Sequence, residues 1–259
     1  MVICRTPVRI SFFGGGTDYP EWYLYNGGQV LSTTINKYTY VNCCYLLPYF
    51  TNKYRFTYSK IENVKSIDEI EHPLIKGCIK FLNIKQGLEI HYDAELPARS
   101  GLGTSSSFTV GLLNSLCTLK GVTIDKNTLV KNSVHIEREL LNETGGIQDQ
   151  ISAVYGGINH IFFNKSGKYK VTEIKIPEKT KKDLNSHLML FYTGIQRISS
   201  DIASQQLKRI RQNKKTLQHI FDLVDKAKAA LLNNSILDFG KLLHETWVYK
   251  KSLSVPSIS

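Results

Sequence analysis

The stretch ELPARSGLGTSSS, residues 95–107, limits what this chain can fold into more than any other. A β-patterned run, GLEIHYDAEL (87–96), stops at Pro97. A glycine-bearing loop, Ser100–Gly101–Leu102–Gly103, follows, and Thr104, Ser105 and Ser106 open an apolar-faced run ending at Gly121. This is a strand–loop–helix unit. Glycines let the backbone approach a ligand closely, and the unsatisfied N–H groups of a helix N-terminus favour phosphate. The stretch lacks the lysine of G-x-x-x-x-G-K-[ST], and only Gly-Leu-Gly matches a dinucleotide fingerprint. Taken alone, it fits equally well a serine-capped helix after a turn.

The rest of the chain supplies strands and helices without a repeating strand–helix period, which predicts an α+β fold rather than a doubly wound sheet. Residues 2–12, 29–36, 37–47, 54–59, 87–96 and 187–194 read as strands, the last in HLMLFYTG, with a hairpin around 164–168. Residues 72–83, 104–121 and 125–141 read as helices, the third capped by Asp125. A short helical run follows the Gly-Gly turn at 145–146. Everything after Ser199 reads as helix, broken near Asn213 and at Asn233–Asn234. A composition change at 164–168 suggests domains at 1–165 and 166–259.

Two further stretches carry chemistry. In PVRISFFGGGTDYPEWY (7–23), three glycines after a strand make a turn able to fold around a small molecule. Asp18 can accept hydrogen bonds from substrate hydroxyls, and Arg9 can reach an anion; a turn whose aspartate caps a short helix is the alternative. In HIERELLNETGGIQDQISAVYGG (135–157), Asp149 follows the Gly-Gly turn, where a carboxylate can orient a hydroxyl nucleophile. Glu137 is a carboxylate suited to magnesium, which prefers oxygen donors. Plain surface charge is the competing explanation for both.

Together and in this order, the three stretches resemble the GHMP kinases, whose phosphate-loop motif PARSGLGTSSS follows closely. Thr104 stands where serine is commoner and Ser106 where alanine usually stands. Within the family, RTPVRISFFGGGTDYPEWY, ETGGIQDQISAVYGG and FYTGIQRISSDI look most like the branch that phosphorylates D-glycero-D-manno-heptose 7-phosphate at its anomeric hydroxyl. The resemblance implies a two-domain architecture, with a ribosomal S5 domain 2-like N-terminal domain and a ferredoxin-like C-terminal domain. It implies ATP and Mg2+, with nucleotide held by Pro97, Ser100, Gly101, Leu102, Gly103, Thr104, Ser105 and Ser106. Asp149 and Arg9 are implied as catalytic, and Ser105 and Glu137 as metal ligands. The substrate falls to Gly15, Gly16, Thr17, Asp18 and Gly146, with Arg197 suggested for the sugar's 7-phosphate. Kinases for fucose or galactose, or a catalytically silent nucleotide- or sugar-binding relative, are the alternatives. The family's C-terminal glycine-rich loop has no counterpart before the end in SLSVPSIS, which suggests an incomplete second domain and puts activity in doubt.

Bulk properties agree with a cytoplasmic enzyme of small molecules, monomeric or homodimeric. No apolar run reaches the roughly eighteen residues of a membrane-spanning helix, and the N-terminus reads as a strand, not a signal peptide. Five scattered cysteines form no CxxC pair, so reduced thiols are expected. The net charge of +11 is spread out or carried by late runs such as KRIRQNKK, without a nucleic-acid motif. It reads as a solvated basic face that also attracts anionic substrates.

Overall fold

In the computed structural model, residues 1–98, 100–194 and 199–253 are described. The elements run β1 (Val2–Phe13), α1 (Pro20–Asn26), β2 (Gly28–Leu46), β3 (Tyr54–Thr57), β4 (Ile61–Val64), α2 (Pro73–Phe81), β5 (Gly87–Ala94) and α3 (Thr104–Leu119). Then come α4 (Lys126–His135), a π-helical turn at Ile136–Leu140, α5 (Gln148–Tyr155), β6 (Ile158–Phe163) and β7 (Tyr169–Glu173). The chain continues in α6 (Glu178–Ser186), α7 (Ser199–Lys208), α8 (Lys214–Leu232) and α9 (Ile236–Ser252). It divides into two compact units: residues 1–8, 35–143 and 149–155 form the first, and residues 9–34, 144–148 and 156–259 the second.

In the first unit, β3 pairs parallel to β5 (Tyr54 opposite Leu88) and antiparallel to β4 (Tyr54 opposite Val64). β5 runs antiparallel to the later part of β2, from Thr39 opposite Ala94 to Leu46 opposite Gly87. Alternate residues point inward, as the two-residue period of a pleated strand requires: Tyr54 and Phe56 on β3, and Leu88 and Ile90 on β5, are all buried. They share a core with Ile75 and Ile79 of α2, Phe108, Leu112 and Leu116 of α3, and Ile136. Pro73 at its first turn starts α2, where a missing N–H costs nothing. Asp125 starts α4 by accepting from the Thr128 N–H at 3.0 Å, as expected.

In the second unit, the early part of β2 pairs antiparallel with β6, from Gly28 opposite Phe163 to Thr33 opposite Ile158, and β6 pairs with β7. The expected hairpin at 164–168 is present, closed by Asn164 N–H to the Lys168 carbonyl at 2.9 Å. On α8, Leu217, Ile220, Leu223, Val224, Ala227 and Leu231 are buried at helical spacing. Leu223, Val224, Ala227 and Leu231 share a core with Phe12, Phe13, Leu31 and Phe239. Phe239 of α9 presents edge contacts to Phe12 at 5.2 Å and Phe13 at 5.1 Å, the arrangement an aromatic quadrupole favours.

The expectations at 29–36 and 37–47 merge into the single strand β2. The strand expected at 187–194 is absent: those residues pair with no strand, and Met189, Leu190, Phe191 and Tyr192 are exposed. An apolar run forms a strand only where a neighbour supplies ladder partners. Elements α1, β4 and α6 are too short or too polar to stand out by periodicity. All five cysteines are unpaired. No described helix is long and apolar enough to cross a membrane.

Phe239 is 1% exposed and anchors two phenylalanines. Phe239→Ala is expected to lower unfolding free energy by about 3–5 kcal/mol, read as a reduced denaturant midpoint. A loss under about 1 kcal/mol would mean the site collapses around the missing ring.

Candidate functional site

Functional side chains gather separately in each unit. In the first, β5 delivers the chain to the loop and α3 begins with Gly103 at its N-cap in the left-handed region, φ +74°. That conformation is open to glycine and strained for a β-branched residue. No side chain caps α3. The serine-capped helix is therefore not what forms, and the first-turn N–H groups are left without a side-chain acceptor. Ser107 Oγ instead donates to the Pro7 carbonyl at 2.9 Å, and Thr109 Oγ1 to the Ser105 carbonyl at 3.1 Å. Ser105 and Gly101 are exposed, Thr104 and Ser106 are buried, and Ser100 Oγ is buried with no hydrogen-bond partner among the described residues.

Glu137 lies in the π-helical turn, closed by Leu141 N–H to the Ile136 carbonyl at 3.1 Å. Such turns interrupt a regular helix and recur at functional sites. Its side chain is 4% exposed. Glu137 Oε2 accepts from Ser106 Oγ at 3.0 Å and from Gln150 Nε2, while Oε1 is buried without a partner among the described residues. Burial pushes the Glu137 carboxyl up to about 7; hydrogen bonds from hydroxyl and amide donors oppose the shift, and the Glu143 charge adds to it. Asp149 is half-buried in the first turn of α5, beside Gln150 in sequence. This unit thus brings together Ser106, Glu137 and Gln150, with the open N-terminus of α3 carrying Ser106. Gln150 is the partner sequence reasoning did not single out; Ser106, expected with its neighbours at the nucleotide, is the hydroxyl that meets Glu137. Only the i-to-i+1 neighbourhood of Gln150 and Asp149 hinted at the first.

In the second unit, Gly14–Asp18 forms a turn closed by Thr17 N–H to the Gly14 carbonyl at 2.9 Å. Thr17, expected at the substrate, is fully buried. Its hydroxyl lies 2.8 Å from the Gly14 carbonyl and 2.9 Å from that of Gln29, and accepts from Gln29 N–H at 3.1 Å. It holds the loop to β2. Asp18 is 1% exposed, accepting from Gly16 N–H at 3.0 Å and Gln148 N–H at 3.4 Å. A Cβ on Gly146 would run into the Asp18 carboxylate, so only glycine lets that backbone pass. Lys250 of α9, absent from the sequence-level candidates, is half-buried beside this loop. Burial lowers its pKa, the Arg9 charge lowers it further, and Asp18 opposes both. Arg197 lies outside the described residues. No cluster of three or more His, Cys, Asp or Glu suited to a metal occurs among the described residues.

Residues 73–157 match the family described as GHMP kinases N terminal domain. The chain is 26% identical over 264 residues to the D-glycero-alpha-D-manno-heptose 7-phosphate kinase of Campylobacter jejuni, covering 96% of this chain and 77% of that protein. It is also 26% identical to the L-fucokinase/L-fucose-1-P guanylyltransferase of Bacteroides fragilis, covering 96% of this chain but 30% of the relative. The crystal structure of a D-glycero-D-manno-heptose 1-phosphate kinase from Bacteroides thetaiotaomicron superposes with TM-score 0.84 at 25% identity, covering 97% of this chain and 79% of that one. The α+β expectation and the fold are borne out.

The Glu137 carboxyl makes stability depend on pH. Its folded pKa of about 7 exceeds the ordinary 4.5, so between those values the folded state binds more protons than the unfolded one. Stability is then fully present below pH 4.5 and falls as pH rises to about 7, by about 3 kcal/mol from this group. Denaturant unfolding at pH 5 and pH 8 should show that loss in the metal-free protein, and Glu137→Gln should flatten it. An unchanged slope in the variant would mean that the carboxyl titrates normally. Separately, Gly103→Val should weaken ATP binding at least tenfold by calorimetry, since it strains the cap and blocks backbone approach. Equal affinity would remove the loop from nucleotide binding.

Proposed function

We propose, for a chain whose residues 73–157 match the GHMP kinases N terminal domain and whose fold is like that of the heptose kinase structure, a cytoplasmic sugar kinase. It passes the γ-phosphate of ATP to the anomeric hydroxyl of D-glycero-D-manno-heptose 7-phosphate, giving the 1,7-bisphosphate used in making nucleotide-activated heptose for surface polysaccharide. The observation that carries the reading is the buried Ser106–Glu137–Gln150 cluster on an uncapped α3 N-terminus, with Asp149 next in the chain. The heptose assignment draws on the two heptose kinases among the relatives.

The loop 100–103 and the first turn of α3 take the triphosphate, whose charge suits unsatisfied N–H groups and the helix dipole. Asp149 accepts or orients the proton of the attacking hydroxyl, and its neighbour Gln150, bonded to Glu137 and Ser106, keeps the start of α5 in position. Arg9 stabilises charge on the transferring group, and Asp18, on its Gly15–Gly16 turn facing Gly146, takes the sugar. Positioning and electrostatic stabilisation carry most of the catalysis in phosphoryl transfer.

The donors fit magnesium: Glu137 Oε1 is a buried carboxylate oxygen without a protein partner, and the Ser106 hydroxyl touches its other oxygen. Glu137 and a hydroxyl of Ser105 or Ser106 would hold the ion, which when bound neutralises phosphate charge. The ligand must be a carboxylate, so Mg2+ affinity should rise with pH through about 7.

A second reading, a kinase for a neutral sugar such as fucose, is favoured by the equally similar fucokinase relative. Phosphorus NMR of the protein with Mg·ATP and heptose 7-phosphate is expected to give a new anomeric phosphate resonance beside an unchanged 7-phosphate. Turnover of fucose or galactose with heptose 7-phosphate untouched would overturn the substrate. Asp149→Asn should lower kcat by about 10^2–10^4-fold while leaving ATP affinity within about twofold. Wild-type turnover in that variant would remove Asp149 from the mechanism.

A further inference from the structure

The turn that carries Asp18 rests on one residue of the neighbouring strand, Gln29. Gln29 N–H donates to the Thr17 hydroxyl at 3.1 Å, and the Gln29 carbonyl lies 2.9 Å from the same oxygen. Gly14, with φ +84°, passes so close over that carbonyl that a Cβ on it would collide. Asp18 follows Thr17 directly and takes the Gly16 N–H inside the same turn. The backbone of Gln29 is therefore the surface to which Gly14 and Thr17 fasten the turn of the carboxylate.

The Gln29 side chain ties that backbone to two further elements. It belongs to a residue 2% exposed, and its amide makes three hydrogen bonds. Nε2 donates to the Phe221 carbonyl at 2.9 Å and to Asp225 Oδ2 at 3.2 Å, both on α8. Oε1 faces His160 Nε2 of β6 at 2.8 Å. A backbone carbonyl can only accept, so the amide nitrogen must be the end that meets α8, and its oxygen the end that meets the imidazole. His160 must then carry a proton on Nε2 and donate it. Burial lowers the His160 pKa, the Lys228 charge lowers it further and Asp225 opposes both, so at pH 7 the ring is a neutral donor. Both hydrogens and the oxygen of this buried amide are thus placed, and β2, β6 and α8 meet on it within the second compact unit.

We propose that Gln29 and His160 are positioning residues for the Gly14–Asp18 turn: the amide, oriented by the imidazole and by α8, fixes the strand backbone that in turn fixes Asp18. The meaning for catalysis rests on the kinase reading, in which Asp18 takes the sugar and both residues act through it.

Three variants of the full chain test this. Gln29→Leu keeps the size and removes the amide. His160→Phe leaves the Gln29 oxygen without its donor, and His160→Gln supplies an N–H in place of the imidazole. Exchange of the Gly16 and Thr17 amides, whose N–H groups close the turn, is followed by NMR. It should be about tenfold faster or more in Gln29→Leu and His160→Phe, and near wild type in His160→Gln. In the same two variants KM for heptose 7-phosphate should rise about tenfold, with KM for ATP and kcat within about threefold, and His160→Gln should recover it. A merely structural amide would lower the melting point without favouring one substrate over the other. Exchange at Gly16 and Thr17 unchanged in both variants, or KM raised alike for sugar and ATP, overturns the proposal. Faster exchange in a protein that transfers phosphate to no sugar upholds the positioning role and defeats the kinase reading instead. Where Gln29→Leu does not fold, the half-buried His160 decides: His160→Phe with wild-type exchange and wild-type sugar KM overturns the proposal on its own.

Discussion

A carboxylate removed from water is the constraint on which the first unit's site depends. Glu137 is almost fully buried, and in that setting its charge survives only if hydrogen bonds or a cation replace lost solvation. Ser106 and Gln150 supply part of that replacement to one oxygen, the nearby Thr109 hydroxyl also favours the charged carboxylate, and the other oxygen makes no hydrogen bond among the described residues. The same bonds connect the start of α3, the π-helical turn after α4 and the start of α5. Three separate stretches of sequence are thereby held in register by one side chain. Such a carboxyl, pushed up to about 7 and half-satisfied, is the group to which the proposed cation site assigns its carboxylate.

The second unit solves a different problem, packing an acid against the backbone. Asp18 approaches Gly146 so closely that a side chain there is excluded, and backbone N–H groups of Gly16 and Gln148 serve the carboxylate. Thr17 gives its hydroxyl to β2 and to the turn, which fixes the loop. On the other side, Ser11 Oγ is buried without a hydrogen-bond partner among the described residues, and Lys250 comes close to Gly15.

Much of this was legible in the chain. Strand β1, the strand–loop–helix around Gly103, the Asp125 cap and the breaks near Asn213 and Asn233 all follow from local rules of periodicity, capping and glycine geometry. The resemblance of three ordered motifs to the GHMP kinases agrees with the family match over 73–157 and with the fold of the heptose kinase structure. Residues 187–194 show the limit: β-branched and aromatic character marks a capacity to pair, and the partner is a tertiary matter.

What sequence alone determined is therefore the set of local elements and the chemistry offered by motifs of near neighbours, because backbone preference and turn chemistry act over a few residues. Tertiary structure decided which serine faces Glu137, that the helix after 120–125 shifts to a π turn at 136–140, and that Gln150 closes the network. It also carried Lys250 to the Gly15 turn from the far end of the sequence. Those outcomes depend on packing between segments far apart in the chain, where burial raises a carboxyl's pKa and lowers a lysine's, and no spacing of residues encodes them.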